Sequence, residues 1–187
     1  MSRNGGHLIS LPLLSDRKLK LMPGEPIATE QLAIDFAHKL LEAWRPETFV
    51  LERIDKRQNW YWVDGEKRTL LLLTFVPEYN GIPVLTRGVE FEFDLDQGKL
   101  VSFHAAPFYF TFNDDLSTNP LLSPQEAVKK LNPYLRVAGE PRLIVDFGGK
   151  GREVLMYRIP IEGVPAVSHV DINAINGHEE GYRLYLD

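Results

Sequence analysis

The groups able to do chemistry in this chain are few and scattered. Its histidines are His7, His38, His104, His169 and His178. No two of them stand four apart, the spacing that brings two imidazoles onto one helix face, and there is no His-Glu-x-x-His. Cysteine is absent, which excludes disulfides, thiolate chemistry and Cys-based metal sites. A metal would require distant residues to converge, so no metal and no cofactor is expected. His169 and Asp171 lie two apart in a strand-like run and share a face. The carboxylate could orient the imidazole, but such pairs also decorate wet sheet faces. His178 follows a turn beside Glu179 and Glu180. His38 sits in a helical pattern next to polar Lys39 and Glu42, where a solvated or locally hydrogen-bonded ring is expected.

Two further groupings invite a chemical reading. Asp94 and Asp96 share a strand face with Glu90 and Glu92. Paired carboxylates perform acid–base work when burial separates their pKa values. Here the opposite face, Val89, Phe91, Phe93 and Leu95, is apolar throughout, so a solvated acidic stripe accounts for the pattern. The Asp94–Asp96 pair also lacks the rest of an EF-hand loop. Gly148-Gly149-Lys150-Gly151 suggests a phosphate loop but lacks the Walker spacing and a following Ser or Thr. It also runs through Arg152-Glu153-Val154 into a strand instead of a helix. A flexible hairpin is the expectation. No serine-centred nucleophile elbow occurs. A hydrolase or isomerase would need His104, His169 or His178 to meet a carboxylate inside a cleft. The chain reads as a non-enzyme.

Bulk properties set outer bounds. The chain has 187 residues, 44% hydrophobic and 25% charged, with a net charge of -5. That suffices for one substantial core or two small ones. The acidic balance gives no reason to expect a nucleic-acid partner, and Arg17, Lys18 and Lys20 form only a short basic cluster. No apolar run approaches the length of roughly 18 residues that a membrane-spanning helix needs. The apolar stretch 8–14 lacks the charged start and cleavage site of a secretory signal.

The elements that must position these groups follow from periodicity. Residues 1–28, with Gly5-Gly6, Pro12 and Pro23-Gly24-Glu25-Pro26, read as a leader or flexible N-terminal segment. A helix is predicted from Thr29, which can cap it, with Glu30 at its positive end. Its apolar stripe is Leu32, Ala33, Phe36, Ala37, Leu40, Leu41 and Trp44, and Pro46 stops it nearby. Strands are predicted at 49–54, 60–63 (closed by Asp64-Gly65), 69–76, 89–95 and 99–104. The nearly all-apolar 69–76 reads as central. Asp96-Gln97-Gly98 makes a hairpin turn between the last two.

Residues 105–122 mark the boundary, with a sticky aromatic run at Phe108, Tyr109, Phe110 and Phe112. Ser123-Pro124-Gln125-Glu126 then carries a full helix-start signature: cap serine, proline at the first position, glutamate three after the cap. Pro133 ends that regular helix. Further strands are predicted at 142–147, 154–159, 168–172 and 182–186. The order is helix then meander, twice. That points to an α+β fold of two helix-plus-antiparallel-sheet modules, at 29–112 and 113–187. Trp60, Tyr61 and Trp62 place aromatic rings on both strand faces. With Phe108 and Tyr109 they are the candidate protein-contact residues. The alternative is that Trp60 and Trp62 cover the helix and Tyr61 sits at an edge.

One pattern occurs twice. Gly81-Ile82-Pro83-Val84 breaks an apolar run that resumes at Val89 and ends in a turn closed by Gly98. Gly163-Val164-Pro165-Ala166 is followed by Val170-Asp171-Ile172-Asn173-Ala174-Ile175-Asn176-Gly177. Gly81, Pro83, Gly98, Gly163, Pro165 and Gly177 therefore read as residues that shape turns. With its helix start at Ser123, the second module resembles a PepSY domain. The first, through Tyr79-Asn80-Gly81-Ile82-Pro83-Val84 and then Asp94, Asp96 and Gly98, resembles the related YcdB/YcdC repeated domain. Ala166 departs from the branched residue typical of the pattern, and the final turn is longer.

The resemblance implies a cystatin-like helix on a curved sheet, without catalysis or cofactor, in an exported or envelope-attached protein. A cytoplasmic location stays open because no signal peptide is visible. The resemblance also implies a regulatory, protein-binding role toward a peptidase or another envelope protein. Two other classes compete: a structural repeat of a larger surface protein, and a carrier of a small apolar ligand in an aromatic-lined pocket. Oligomeric state is not readable from the chain.

Overall fold

The computed structural model describes residues 10–12, 26–44, 48–60, 67–105, 116–165 and 167–184. It is an α+β structure with two antiparallel sheets. The chain forms two compact units: Met1–Glu78 with Arg87–Thr111, and Tyr79–Thr86 with Phe112–Asp187. Residues 79–86, which include Gly81-Ile82-Pro83-Val84, thus group with the second unit although sequence on both sides of them belongs to the first.

The first unit opens with strand β1 (Ser10–Pro12) and helix α1 (Glu30–Trp44). The Thr29 hydroxyl accepts the Leu32 backbone N–H at 3.2 Å, satisfying one of the donors a helix start leaves orphaned. Ala33, Ala37 and Leu41 repeat every four residues and are fully buried. The alanines let α1 approach the sheet closely, while Phe36 meets Phe93 edge-on at 6.1 Å. Leu32, expected on the buried stripe, is instead 42% exposed. The stripe is narrower than the apolar residues suggest, because its centre is set by the two small alanines. His38 is not simply solvated. Its ring packs edge-on against Phe75 at 4.8 Å.

Strands β2 (Phe49–Trp60) and β3 (Lys67–Tyr79) pair antiparallel. The two strands expected at 49–54 and 60–63 are one strand as far as Trp60, and residues 61–66 lie outside the described residues. The polar stretch 52–58 hid this continuity. β2 ends the order β1-β6-β5-β3-β2 among the described strands, and an edge strand carries charge without losing its ladder to β3. The pairing survives a bulge between Leu51 and Arg53. β5 (Val89–Asp94) and β6 (Lys99–Ala105) continue the sheet, and the two-residue β4 (Ile82–Pro83) pairs with β3 beside this path. Val89, Phe91 and Phe93 alternate into the core with Leu71, Leu73, Phe75 and Phe103.

The second unit takes β4 (Ile82–Pro83), α2 (Pro124–Val128), β7 (Arg136–Val137), β8 (Arg142–Phe147), β9 (Glu153–Glu162), β10 (Val167–Asn173) and β11 (Glu179–Leu184). Its order is β11-β10-β9, with β8 and β7 pairing successive stretches of β9 on its other side. Val84 forms a parallel bridge with Val145 of β8. α2 begins in a complete capping box. The Ser123 hydroxyl accepts the Glu126 N–H at 3.2 Å, and the Glu126 carboxylate accepts the Ser123 N–H at 2.7 Å. The regular helix ends at Val128, short of Pro133. Lys130 and Leu131 donate to Ala127 and Val128, the tighter three-residue bonds of a closing turn. Ala127, Leu131, Val145, Leu155, Tyr157, Ile159, Val170 and Ile172 form this unit's core together with Ile82 and Val84.

Candidate functional site

In the second unit, polar side chains from three adjacent strands converge on Arg158 of β9. Asp171 of β10 stands directly across from it in register, and Asp146 projects from β8. Arg158 Nε donates to Asp171 Oδ1 at 3.0 Å and Nη2 to Asp171 Oδ2 at 2.8 Å, a two-pronged pairing. The same Nη2 donates to Asp146 Oδ2 at 2.9 Å. Burial opposes the charge on Arg158, but the Asp171 and then the Asp146 carboxylates outweigh it and hold the guanidinium pKa above its ordinary value.

This arrangement decides the His169–Asp171 question. His169 Nε2 lies 3.7 Å from Asp171 Oδ2, beyond hydrogen-bond range. Both Asp171 oxygens are engaged by Arg158. The Ser168 hydroxyl lies 2.8 Å from His169 Nδ1. Asp171 is therefore a partner of arginine, and it is buried at 8% exposure instead of lying on a wet face. Sequence reasoning missed Arg158 and Asp146. The signal was a lone arginine inside an apolar strand, flanked by strands that each carry one aspartate.

A second cluster closes the β10–β11 turn. Asn173 Oδ1 accepts the N–H groups of Ile175 and Asn176 at 2.9 and 3.2 Å. Its Nδ2 donates to Glu180 Oε1 at 2.7 Å, and Glu180 Oε2 accepts the Gly149 N–H at 3.1 Å. Gly148-Gly149-Lys150-Gly151 is accordingly a β8–β9 turn, closed by Gly148 N–H to Arg152 O at 2.9 Å. It is tied to β11 through Glu180. His178 takes part through its backbone carbonyl, which accepts the Asn173 N–H at 2.8 Å.

The acidic stripe of the first unit is not a solvated row. Asp94 is fully buried. Its Oδ1 accepts the N–H groups of Asp96 and Gln97 at 3.1 and 2.9 Å, and its Oδ2 accepts from Arg68 Nη1 at 3.1 Å. Asp96 Oδ2 accepts the Thr69 N–H at 2.6 Å. Glu92 is half-buried between Arg57 and Ser102. Glu90 and Asp96 are exposed, and Glu90 has His104 opposite it on β6. These carboxylates hold turns and bind arginines. Among the described residues, no group of three or more His, Asp or Glu is placed to hold a metal ion.

The turn glycines Gly81, Gly98, Gly163 and Gly177 all have positive φ, from 64° to 79°. Pro83 is buried in β4, whereas Pro165 lies exposed in the turn after β9. The two Gly-x-Pro steps therefore sit in different settings. Of the candidate contact residues, Trp60 ends β2, while Tyr61, Trp62, Phe108 and Tyr109 lie outside the described residues. The large apolar side chains that are exposed include Leu121 (73%), Tyr134 (91%) and Phe147 (52%), all in the second unit. No helix among the described residues is long and apolar enough to cross a membrane.

No family model and no curated relative matches the sequence. Among solved structures, the chain is similar to the YpeB C-terminal domain of Bacillus megaterium. The two are 23% identical, with a TM-score of 0.64, over 98% of this chain and 74% of that one. Two antiparallel sheets, few helices and this likeness make the fold a PepSY-like α+β fold.

Proposed function

We propose that the chain is a non-catalytic regulatory module that binds another protein, and that the bound protein is an extracellular or envelope peptidase or hydrolase. One observation carries this reading. The buried polar groups are spent on holding the sheets, as Arg158 does between Asp146 and Asp171, while Leu121, Tyr134 and Phe147 are presented outward. Large exposed apolar and aromatic groups are the usual anchors of protein contact. The PepSY-like fold supports the same role by analogy. We further read the first unit as YcdB/YcdC-like and the two units as a duplication. Their strand-closing turns, at Asp94 and at Asn173, are built alike.

The test is direct binding. The purified chain, immobilised, is titrated with a panel of secreted peptidases and cell-wall hydrolases, and saturable binding is expected with at least one. Replacing Leu121, Tyr134 and Phe147 together by alanine should weaken it about ten-fold or more. A panel without a saturable partner would sink the reading.

A further inference from the structure

The chain contains the dipeptide Asn-Gly at Asn80-Gly81 and again at Asn176-Gly177. A third, Asn4-Gly5, lies outside the described residues. Asn-Gly is the step at which a side-chain amide is most open to attack by the next backbone nitrogen, because glycine offers no side chain to obstruct ring closure. The two described steps stand in opposite local settings. At Asn176 both reacting groups are held. Its Oδ1 accepts the His178 N–H at 2.9 Å, and the Gly177 nitrogen, which would attack, donates to Asn173 O at 2.9 Å. Lys130 and Leu122 also crowd Gly177 to within 3.1 and 3.3 Å of where a side chain would begin.

At Asn80 the setting is open. Asn80 and Gly81 are both exposed, and no atom lies within 4 Å of the Gly81 Cβ direction. The side chain is tethered by one exposed bond, Nδ2 to Thr118 Oγ1 at 3.2 Å. Asn80 is also the one described non-glycine residue with positive φ, at 53°. Asparagine tolerates that region better than most residues but does not prefer it.

We propose that Asn80 is a site of spontaneous self-modification, converting through a cyclic imide to aspartate and isoaspartate, while Asn176 is protected by its turn. The Gly81 nitrogen attacks Asn80 Cγ. The N–Cγ bond forms, the Cγ–Nδ2 bond breaks, and ammonia leaves carrying the proton lost by the attacking nitrogen. Water then opens the ring. Attack at Cγ gives aspartate, and attack at the main-chain carbonyl gives isoaspartate, which routes the backbone through the side chain. Either product adds a negative charge, and isoaspartate adds a backbone atom. Both arise immediately before Ile82 and Val84, which are buried in the core of the second unit.

The experiment is incubation of the folded chain in mildly alkaline buffer, followed by tryptic peptide mapping by mass spectrometry. Peptides 4–17, 69–87 and 159–183 separate the three Asn-Gly steps. Two hydrogen bonds must break at Asn176-Gly177 and one at Asn80, so peptide 69–87 should convert about ten times faster than peptide 159–183. In denaturant the two rates should converge. Thr118→Ala should speed conversion at Asn80 about two-fold to five-fold, and Asn80→Gln should abolish it. The proposal is overturned if the two peptides convert equally in the folded chain, or if Asn176 converts faster. It is equally overturned if Asn80 stays intact while the denatured chain converts.

Discussion

Asp94 and Asn173 do the same work in their respective units. Each ends a strand, and its Oδ1 accepts the backbone N–H groups two and three residues on. Each stands four residues before a glycine with positive φ, Gly98 or Gly177. The residue after each is buried and donates its N–H to the neighbouring strand, Leu95 to Thr69 O at 3.0 Å and Ala174 to Leu155 O at 2.9 Å. The difference is charge. Asp94 is an anion matched by Arg68, whereas Asn173 is neutral and donates to Glu180.

That difference predicts a cost, of different origin, for a charge swap at either position. Asn173→Asp sets a second carboxylate against Glu180 and removes the amide donor, and should cost the second unit about 2 kcal/mol at neutral pH. Asp94→Asn keeps the turn acceptor but loses the ion pair with Arg68, and should cost the first unit about 1–2 kcal/mol. Asp94→Ala removes both and should cost the first unit about 3–5 kcal/mol. Urea unfolding at neutral pH reads all three.

Arg158 should tolerate neither deletion nor shortening. Arg158→Met leaves Asp146 and Asp171 close together without their shared cation, and should cost about 3 kcal/mol. Arg158→Lys keeps the charge but cannot engage both Asp171 oxygens, and should cost about half as much. Equal stability of the lysine variant and the parent in thermal unfolding would contradict the two-pronged geometry.

Two titrations bear on the helix-start region. The backbone and then the side-chain hydrogen bonds from Ser123 hold the Glu126 carboxyl below its ordinary value of 4.5. The folded chain thus binds that proton less readily than the unfolded chain. The contribution is present above the ordinary value and lost as pH falls through the lowered one. Burial, and secondarily Glu126, pushes the Tyr157 phenol above 10.0. Its contribution is complete below the ordinary value and lost as pH rises through the raised one. Carboxyl NMR should place Glu126 below 4.5, and ultraviolet titration should place Tyr157 above 10.0. Tyr157→Phe deletes the hydroxyl's bond to Leu122 O at 2.9 Å and should cost about 1 kcal/mol.

Gly98→Ala should be among the most damaging small substitutions in the first unit. Its φ is +64°, and a Cβ there would come within 2.5 Å of the Pro26 side chain. The Gly98 carbonyl also accepts the Ile27 N–H at 2.9 Å, so the chain entering α1 is pinned against this turn. Left-handed strain and the clash together should cost about 2 kcal/mol or more. Unfolding midpoints of G98A and the parent provide the measurement.

Much of the fold was legible because periodicity is local. The Ser123 capping box, the alternation of Val89, Phe91 and Phe93, and the turn at Gly98 can each be read from a few neighbouring residues. β2 was divided because an edge strand can carry Glu52, Arg53, Asp55, Lys56 and Arg57 without breaking its ladder. The two-residue strand β4 was missed because the Gly-x-Pro step reads as a break although the segment pairs with β3 just before it. The two-residue strand β7 was missed because its partner on β9 is distant in sequence. The polar clusters were hidden for the same reason. Arg158 reaches Asp146 and Asp171 only after three strands align. The acidic stripe was misread at Asp94 because alternation reports which face a residue occupies, not whether an arginine from the next strand covers it.

The placement of residues 79–86 has a consequence for the chain as a piece of inheritance and of machinery. The polypeptide passes from one unit to the other and back before it finally enters the second at Phe112. A single cut near that point leaves the downstream fragment without Ile82 and Val84 and with a hole in its core. The two halves therefore cannot be exchanged by one recombination event, as beads on a string can. A force that unravels the first unit through residue 87 also pulls on the strand lodged beside β8, so mechanical failure of one unit is transmitted to the other along the backbone itself.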